Sequence, residues 1–323
     1  MKRVKKPLIA ALAAIMIMSF SACGGGSSEG ESTKITSAYQ YGMAYAPLEV
    51  MKEQKLIEKY YDGAEVEWVT LNSGPAINEG IASGSIDVGA MGVGPAVIGV
   101  TSGVPYKICS NMSGQPHKIM TNNENIKSLT DITDEKIAMV NVNSIQHVML
   151  AMACEKELGD AHALDNNIVA MAHPDGMSAL ISGSVDCQLT TSPYVFKEAA
   201  EEGISEVEAL DSVWPDGNSF IVAMASTKLY EENPELYDAV VKALAEAIDY
   251  INNNKEEAAK MLCEAEEVDA ETMLAWLNDP ACVYTTETKG VLEMATFMAE
   301  NGFLEGDAPE AISDLAFDNV KGN

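Results

Sequence analysis

The feature that most restricts what this chain can fold into is an internal repetition. Residues 75–88 read PAINEGIASGSIDV and residues 174–187 read PDGMSALISGSVDC, so a proline, a Ser-Gly-Ser triplet and an aspartate recur at an offset of 99. Each copy follows a strand-like run, EVEWVTL at 65–71 or NIVAM at 167–171. Each proline stands where the first turn of a helix tolerates a missing N–H, and Gly84 and Gly183 stand where a helix would stop. After each aspartate comes a short apolar run that reads as a buried strand, then a loop with another proline, Pro95 or Pro193. A strand–loop–helix precedes each copy, KITSAY into YGMAYAPLEVM and KIAMV into NVNSIQHVML. Helix, glycine stop and strand is common punctuation, so fourteen residues do not establish a gene duplication. Either origin predicts the same thing: α/β architecture in two lobes, each with a mixed, mainly parallel sheet flanked by helices.

The N-terminus sets the address. Lys2, Arg3, Lys5 and Lys6 precede a nearly unbroken apolar run from Pro7 to Phe20. Its 14 residues fall short of the roughly 20 that span a bilayer as a helix. Ser21-Ala22-Cys23 after it resembles the bacterial lipobox, with Phe20 where a leucine is usual. That resemblance implies a lipoprotein signal peptide over residues 1–22 and acylation of Cys23. The competing reading is an ordinary cleaved leader followed by an incidental cysteine. The stretch GGGSSEGEST up to Thr33 favours anchoring, because it offers nothing to pack and serves as a flexible tether over 23–33.

Charge excludes one class of partner. The leader removes four of the 20 basic residues and none of the 49 acidic ones, leaving 16 against 49 and a net charge of −33. No basic patch outweighs that, so nucleic acid is not a partner. Arg3 is the only arginine, and it goes with the leader. Five cysteines remain beyond Cys23, an odd number with no CxxC spacing, and the four histidines show no metal pattern. Cys109, Cys154 and Cys187 read as buried small side chains, and Cys263 and Cys282, which flank a helical stretch, are the one candidate disulfide pair. The acidic runs Glu198–Glu208 and Glu264–Glu271 read as solvated helix faces. Towards the C-terminus, Asn233-Pro234-Glu235 starts a helix whose apolar face is Leu236, Val240, Val241, Leu244, Ile248 and Ile251. Asn254 and Asp269 are placed to cap two more helices. Ser219–Met224 reads as a strand returning to the first lobe.

Several stretches in order resemble the nitrate, taurine and aliphatic-sulfonate class of ABC solute-binding proteins, whose relatives also bind thiamine-precursor pyrimidines. They are APLEVM with KEQKLIEKYY, SGPAINEGIASGSIDVGAMG, SLTDITDEKIAMV, SALISGSVDCQLTTSPY, and the Asn-Pro-Glu helix followed by INNNKEEAAKML. They cover nearly all of residues 34–303. The resemblance implies a type II periplasmic-binding-protein-like fold whose lobes close about a two-strand hinge. Lobe 1 is then residues 34–116 plus 217–323 and lobe 2 is residues 117–216, with crossings near Gly114–Met120 and Trp214–Phe220. It also implies an extracytoplasmic monomer, bacterial and lipid-anchored at the cell membrane, that hands a small molecule to ABC permease subunits without a cofactor.

In open α/β sheets ligands bind beyond the carboxyl ends of strands. Applied to the repeat, that rule selects three loops per lobe: Tyr41–Ala44, Asn72–Gly74 and Met91–Gly94, then Asn143–Gln146, His173–Asp175 and Thr190–Tyr194. Candidate ligand-binding residues are Tyr41, Gly42, Met43, Ser73, Gly74, Met91, Gly92, Asn143, Ser144, Thr191, Tyr194 and Trp214. Ser73 and Ser144 also suit helix N-caps, and Tyr41, Tyr45 and Tyr194 suit stacking walls. His173 reads as a solvated loop residue and Trp68 as core. No arginine or lysine lies in the six loops, so an oxoanion would depend on N–H groups and hydroxyls. A neutral or zwitterionic molecule, taurine or a pyrimidine-like ring, is the more natural guest. Two other functions compete. One is an enzyme like the pyrimidine-precursor synthases of this fold, which rely on a cysteine-rich segment not found here. The other is a sensory ligand-binding module. No nucleophile–base pair or carboxylate dyad stands out, and no catalytic residue is assigned.

Overall fold

Two sheets organise residues 33–323, the part of the chain that this computed structural model describes. The leader, Cys23 and residues 23–32 of the tether lie outside the described residues. In chain order, β1 (Thr33–Tyr39), β2 (Ala64–Thr70), β3 (Val88–Gly92) and β4 (Tyr106–Gly114) enter the first sheet. Then β5 (His117–Thr121), β6 (Ile137–Met139), β7 (Ile168–Ala170), β8 (Cys187–Thr191) and β9 (Ser205–Val207) make the second. Finally β10 (Ile221–Ser226) and β11 (Val283–Tyr284) rejoin the first. The strand orders are β11-β4-β10-β3-β1-β2 and β7-β6-β8-β5-β9. Thr33 is already strand: it pairs with Ala64, and its N–H donates to the Gly63 carbonyl at 2.9 Å.

In each sheet the strands of the repeated unit are parallel, β2-β1-β3 and β7-β6-β8, and the returning strands are antiparallel. Burial follows position. The central strands β3, β8 and β10 are buried along their whole length, which suits the apolar runs of β3 and β10, whereas β8 also buries Gln188, Thr190 and Thr191. Edge strand β2 is mostly half-exposed, so Trp68 is only half-buried and meets Tyr39 edge-on at 6.2 Å instead of sitting in the core.

The repeat is structural as well as textual. Gly84 and Gly183 take left-handed φ values of 74° and 73° after the helices Gly74–Ala82 and His173–Ile181. The two serines around each glycine bond each other, Ser83 to Ser85 at 3.1 Å and Ser182 to Ser184 at 3.0 Å. One aspartate per copy then clamps the neighbouring parallel strand. The Asp87 carboxylate accepts the Thr36 N–H at 2.9 Å, and the Asp186 carboxylate accepts the Lys136 N–H at 2.8 Å. Each aspartate also donates its own N–H to the carbonyl of the same partner, at 3.0 and 3.1 Å. An aspartate fits because it is an acceptor short enough to reach an orphan N–H one strand away.

The long helix Pro234–Asn253 starts where expected, with the Asn233 side chain accepting the Leu236 N–H at 3.1 Å. It buries Leu236, Val240, Leu244, Ile248 and Ile251, while Val241 is half-buried. Asp269 caps the helix Ala270–Leu277, but the Asn254 side chain turns back to the Tyr250 carbonyl and caps nothing. All five cysteines of the described residues are free thiols, Cys263 and Cys282 included.

The chain passes between the sheets twice, from β4 to β5 through Gln115-Pro116 and from β9 back to β10. His117 ties the passages together. Its buried ring lies between the Gln115 carbonyl and the Trp214 carbonyl, each 2.9 Å away, and stacks on Phe220 at 5.8 Å. Burial lowers its pKa, so it stays neutral and donates to one carbonyl at a time.

Candidate ligand-binding cleft

The parallel strands of both sheets end at a common gap, and a cavity of about 40 Å³ lies there with walls from both lobes. Gln40 and Tyr41 follow β1, Asn72 and Gly74 follow β2, and Gly92 ends β3. From the second lobe come Val140 and Ser144–Gln146 after β6, and Ala172 and His173 after β7. The walls thus include the first residues of three helices, Gly74–Ala82, Ile145–Leu158 and His173–Ile181, and the N-cap of a fourth, Val93–Thr101. Such ends carry free N–H groups and partial positive charge.

Tyr41, Gly74, Gly92 and Ser144 therefore meet around one space. A second space, which we term the annex, shares Gln40, Tyr41 and Tyr45 with the first and adds Gly42 and Tyr194. Ser144 spends its hydroxyl on its own helix, accepting the His147 N–H at 3.2 Å. Ser73 occupies the matching N-cap position but makes no capping bond, and its neighbours Asn72 and Gly74 line the cavity in its place. Asn143 is exposed at a left-handed φ of 61° and donates its N–H to His147 Nδ1. Met43, Met91, Thr191 and Trp214 are buried and line neither space. The Thr191 hydroxyl is used on the Pro116 carbonyl at 2.8 Å, and Trp214 belongs to the second passage between the sheets.

His173 is the main correction. It is buried, stacks on Tyr194 at 5.6 Å and receives the Gln146 amide on Nε2 at 3.3 Å. Burial pushes its pKa down to about 4, so it is a neutral wall of the cleft and not a solvated loop residue. Its partners lie 27 and 21 positions away, so no local pattern announces it. Gln146 and Phe220 are further wall residues. Among acidic residues read as solvated, Glu198 is fully buried, and Glu266 lines the annex with burial pushing its carboxyl up to about 7.

The lobes touch at several points. A Cβ on Gly92 would lie 2.6 Å from Ile145 Cγ2, and one on Gly94 would lie 3.2 Å from Val148 Cγ2, so glycine is what lets these two helix starts approach. Phe196 stacks on Trp276 at 5.6 Å, and the Lys197 ammonium bonds the Glu266 carbonyl at 3.0 Å. A further contact is made by His162, which bridges the Asp165 carboxylate and the Asn301 carbonyl, both at 2.8 Å. The Asn301 carbonyl and then Asp165 raise its pKa, because both ring nitrogens face acceptors.

Known proteins share this plan. The chain is 25% identical over 276 residues to a protein of Bacillus subtilis (strain 168) that carries the name of an aliphatic sulfonates-binding protein, covering 82% of this chain and 80% of that one. The alkanesulfonate-binding protein SsuA from Xanthomonas axonopodis pv. citri, solved with MOPS bound, superposes with a TM-score of 0.71 at 16% identity, over 91% of this chain and 100% of that one. A structure from Methylobacillus flagellatus KT described as the periplasmic sulfonate-binding protein SsuA of a sulfonate ABC transporter gives a TM-score of 0.61 at 18% identity, over 89% and 92% of the two chains. The fold is therefore that of the periplasmic binding proteins, and these relatives are binding proteins rather than enzymes. With the model of the NMT1-like family matching residues 28–265, the chain belongs to that family.

Proposed function

We propose that this protein is the extracytoplasmic solute-binding component of an ABC importer, anchored through an acylated Cys23, that captures a small organic molecule by closing its lobes. The observation that carries this reading is a cavity walled by strand-end loops of both sheets, between lobes connected by only two passages. A guest touching both walls favours the closed arrangement, which is how such proteins couple binding to shape. The bodies that move are residues 34–116 with 217–323, and residues 117–216. The names of the relatives favour a sulfonate-like group. Helix starts at Gly74, Val93, Ile145 and His173 suit such a group, although no lysine lines the cavity.

Two measurements test this. Small-angle scattering of the protein saturated with taurine or ethanesulfonate is expected to show a more compact particle than the unliganded protein. The compound should be recovered chemically unchanged. Steady conversion to a product, or the same shape at saturation, overturns the capture reading. For the anchor, Cys23→Ala should abolish metabolic labelling by a fatty acid; equal labelling of variant and wild type removes the lipid from the proposal.

A further inference from the structure

The annex is the larger of the two spaces, about 250 Å³ beside the 40 Å³ of the main cavity. The two are built from opposite chemistry. Helix starts and amides wall the main cavity, whereas the annex is lined by Tyr39, Tyr41, Tyr45 and Tyr194 and by the carboxylates of Glu49 and Glu266. No lysine lines it. Electron-rich rings together with carboxylates are an environment that attracts a cation, and more strongly once water is stripped away. An anion placed there would meet two acids.

The nearby lysines leave this character in place. Lys52 pairs with Glu49 at 3.4 Å from an exposed position. Lys197 bonds the backbone carbonyl of Glu266, not its carboxylate, so that carboxylate has no ion-pair partner among the described residues. The Lys197 ammonium itself lies 5.3 Å from the centre of the Tyr194 ring, an ammonium already placed against this group of tyrosines. Burial and then the Glu49 carboxylate keep the Tyr39 phenol protonated. Burial does most to hold the Glu266 proton on, the Lys197 ammonium works against it, and the Glu49 carboxylate adds to it, as expected of two carboxylates that face one space. Tyr45, more than nine-tenths buried, lines both spaces, and burial raises the pKa of its phenol.

We propose that the annex is a subsite for an organic ammonium group, received by Tyr39, Tyr41 and Tyr45 and by the carboxylates of Glu49 and Glu266. The rest of the ligand enters the main cavity through the shared Gln40–Tyr41–Tyr45 boundary. The proposal rests on the reading of this cleft as the solute site. It adds a charge requirement that the names of the relatives do not contain. The ammonium belongs either to a plain organic cation or to a zwitterion whose negative end meets the helix starts.

Calorimetry and scattering on the purified protein decide it, with three probes raised to millimolar concentration: choline, taurine and ethanesulfonate. Taurine and ethanesulfonate differ by one ammonium group. Choline, taurine or both are expected to bind at least about tenfold more tightly than ethanesulfonate. Choline binding identifies a cation site, and taurine binding alone identifies a zwitterion site. Glu266→Gln should weaken the ammonium probe about tenfold and leave ethanesulfonate unchanged or tighter, and Tyr41→Leu, which touches both spaces, should weaken the ammonium probe more than it weakens ethanesulfonate. Tyr41 is 58% exposed and Glu266 sits in a loop, so neither variant threatens the core. Ethanesulfonate binding as tightly as taurine, silence from both ammonium probes, or indifference of the ammonium probe to both substitutions overturns the subsite. If ethanesulfonate compacts the protein while both ammonium probes are silent, the subsite falls and the capture reading stands. If an ammonium probe binds in a substitution-sensitive way without compaction, the subsite stands and closure falls.

Discussion

Replacing Glu198 by glutamine is expected to stabilise the protein by about 4 kcal/mol near pH 9 and to change little near pH 4. Glu198 lies in the helix Tyr194–Ala199, which packs on β5 and β8. It is 0% exposed, neither carboxyl oxygen has a well-formed hydrogen bond among the described residues, and the Thr190 hydroxyl beside it offsets burial only in part. Burial pushes its pKa from 4.5 up to about 8. In the unfolded chain the proton leaves near 4.5, whereas the folded protein keeps it until about 8. The unfolded state therefore binds fewer protons across that window, and stability falls as pH rises through it, then levels off above about 8. Glutamine carries no charge to desolvate, so the difference between variant and wild type isolates this group from every other titration. Denaturant unfolding of both proteins at three pH values reads it directly. A difference that does not grow between pH 4 and 9 would show that Glu198 ionises freely in the folded state.

Glu198 also marks where the sequence stops being legible. It opens a run of acids that a charge pattern assigns to a solvated face, yet the run spans several local structures. Its first member is held inside by the packing of Val195 and Phe196 on the same short helix. Glu266 repeats the lesson in the loop before the helix Ala270–Leu277. What was legible is the pair of frames. Pro75 and Pro174, the Ser-Gly-Ser stops and Asp87 and Asp186 are local devices, each acting within a few residues or on one adjacent strand, so they carry their meaning in the text. The two-lobed α/β fold and the strand-end location of the cavity follow from them. The walls are another matter. His173 is defined by Gln146 and Tyr194, and Trp214 by His117, all contacts between elements far apart in sequence. Short strands such as β9 and β11 owe their existence to the sheet edges they join, not to any pattern of their own.

The glycine at the end of β3 ties fold to function most directly. Gly92→Ala is expected to hold the lobes apart and to weaken binding of whichever probe compacts the wild type by about 10- to 100-fold. The backbone at residue 92, φ −58° and ψ 151°, is one that alanine adopts freely, so strain within the chain is not the cause. The cause is the new Cβ, which would lie 2.6 Å from Ile145 Cγ2 and 2.8 Å from Ile145 Cβ, on the first residue of a helix in the other lobe. One methyl group in a fully packed contact costs about 1–3 kcal/mol. Here the whole cost falls on the closed state, because the overlap vanishes when the lobes separate. Observed affinity scales with the fraction of molecules able to close, so the cost appears as weaker binding and not as unfolding. Melting of the unliganded variant should therefore match wild type closely, while its scattering curve with the probe added stays more open than that of the liganded wild type. Ile145→Ala in the Gly92→Ala background removes Cγ2 but leaves Cβ, so affinity should return in part. Full binding and full compaction by Gly92→Ala alone would mean that the two helix starts do not meet in the liganded state, and that closure uses other contacts.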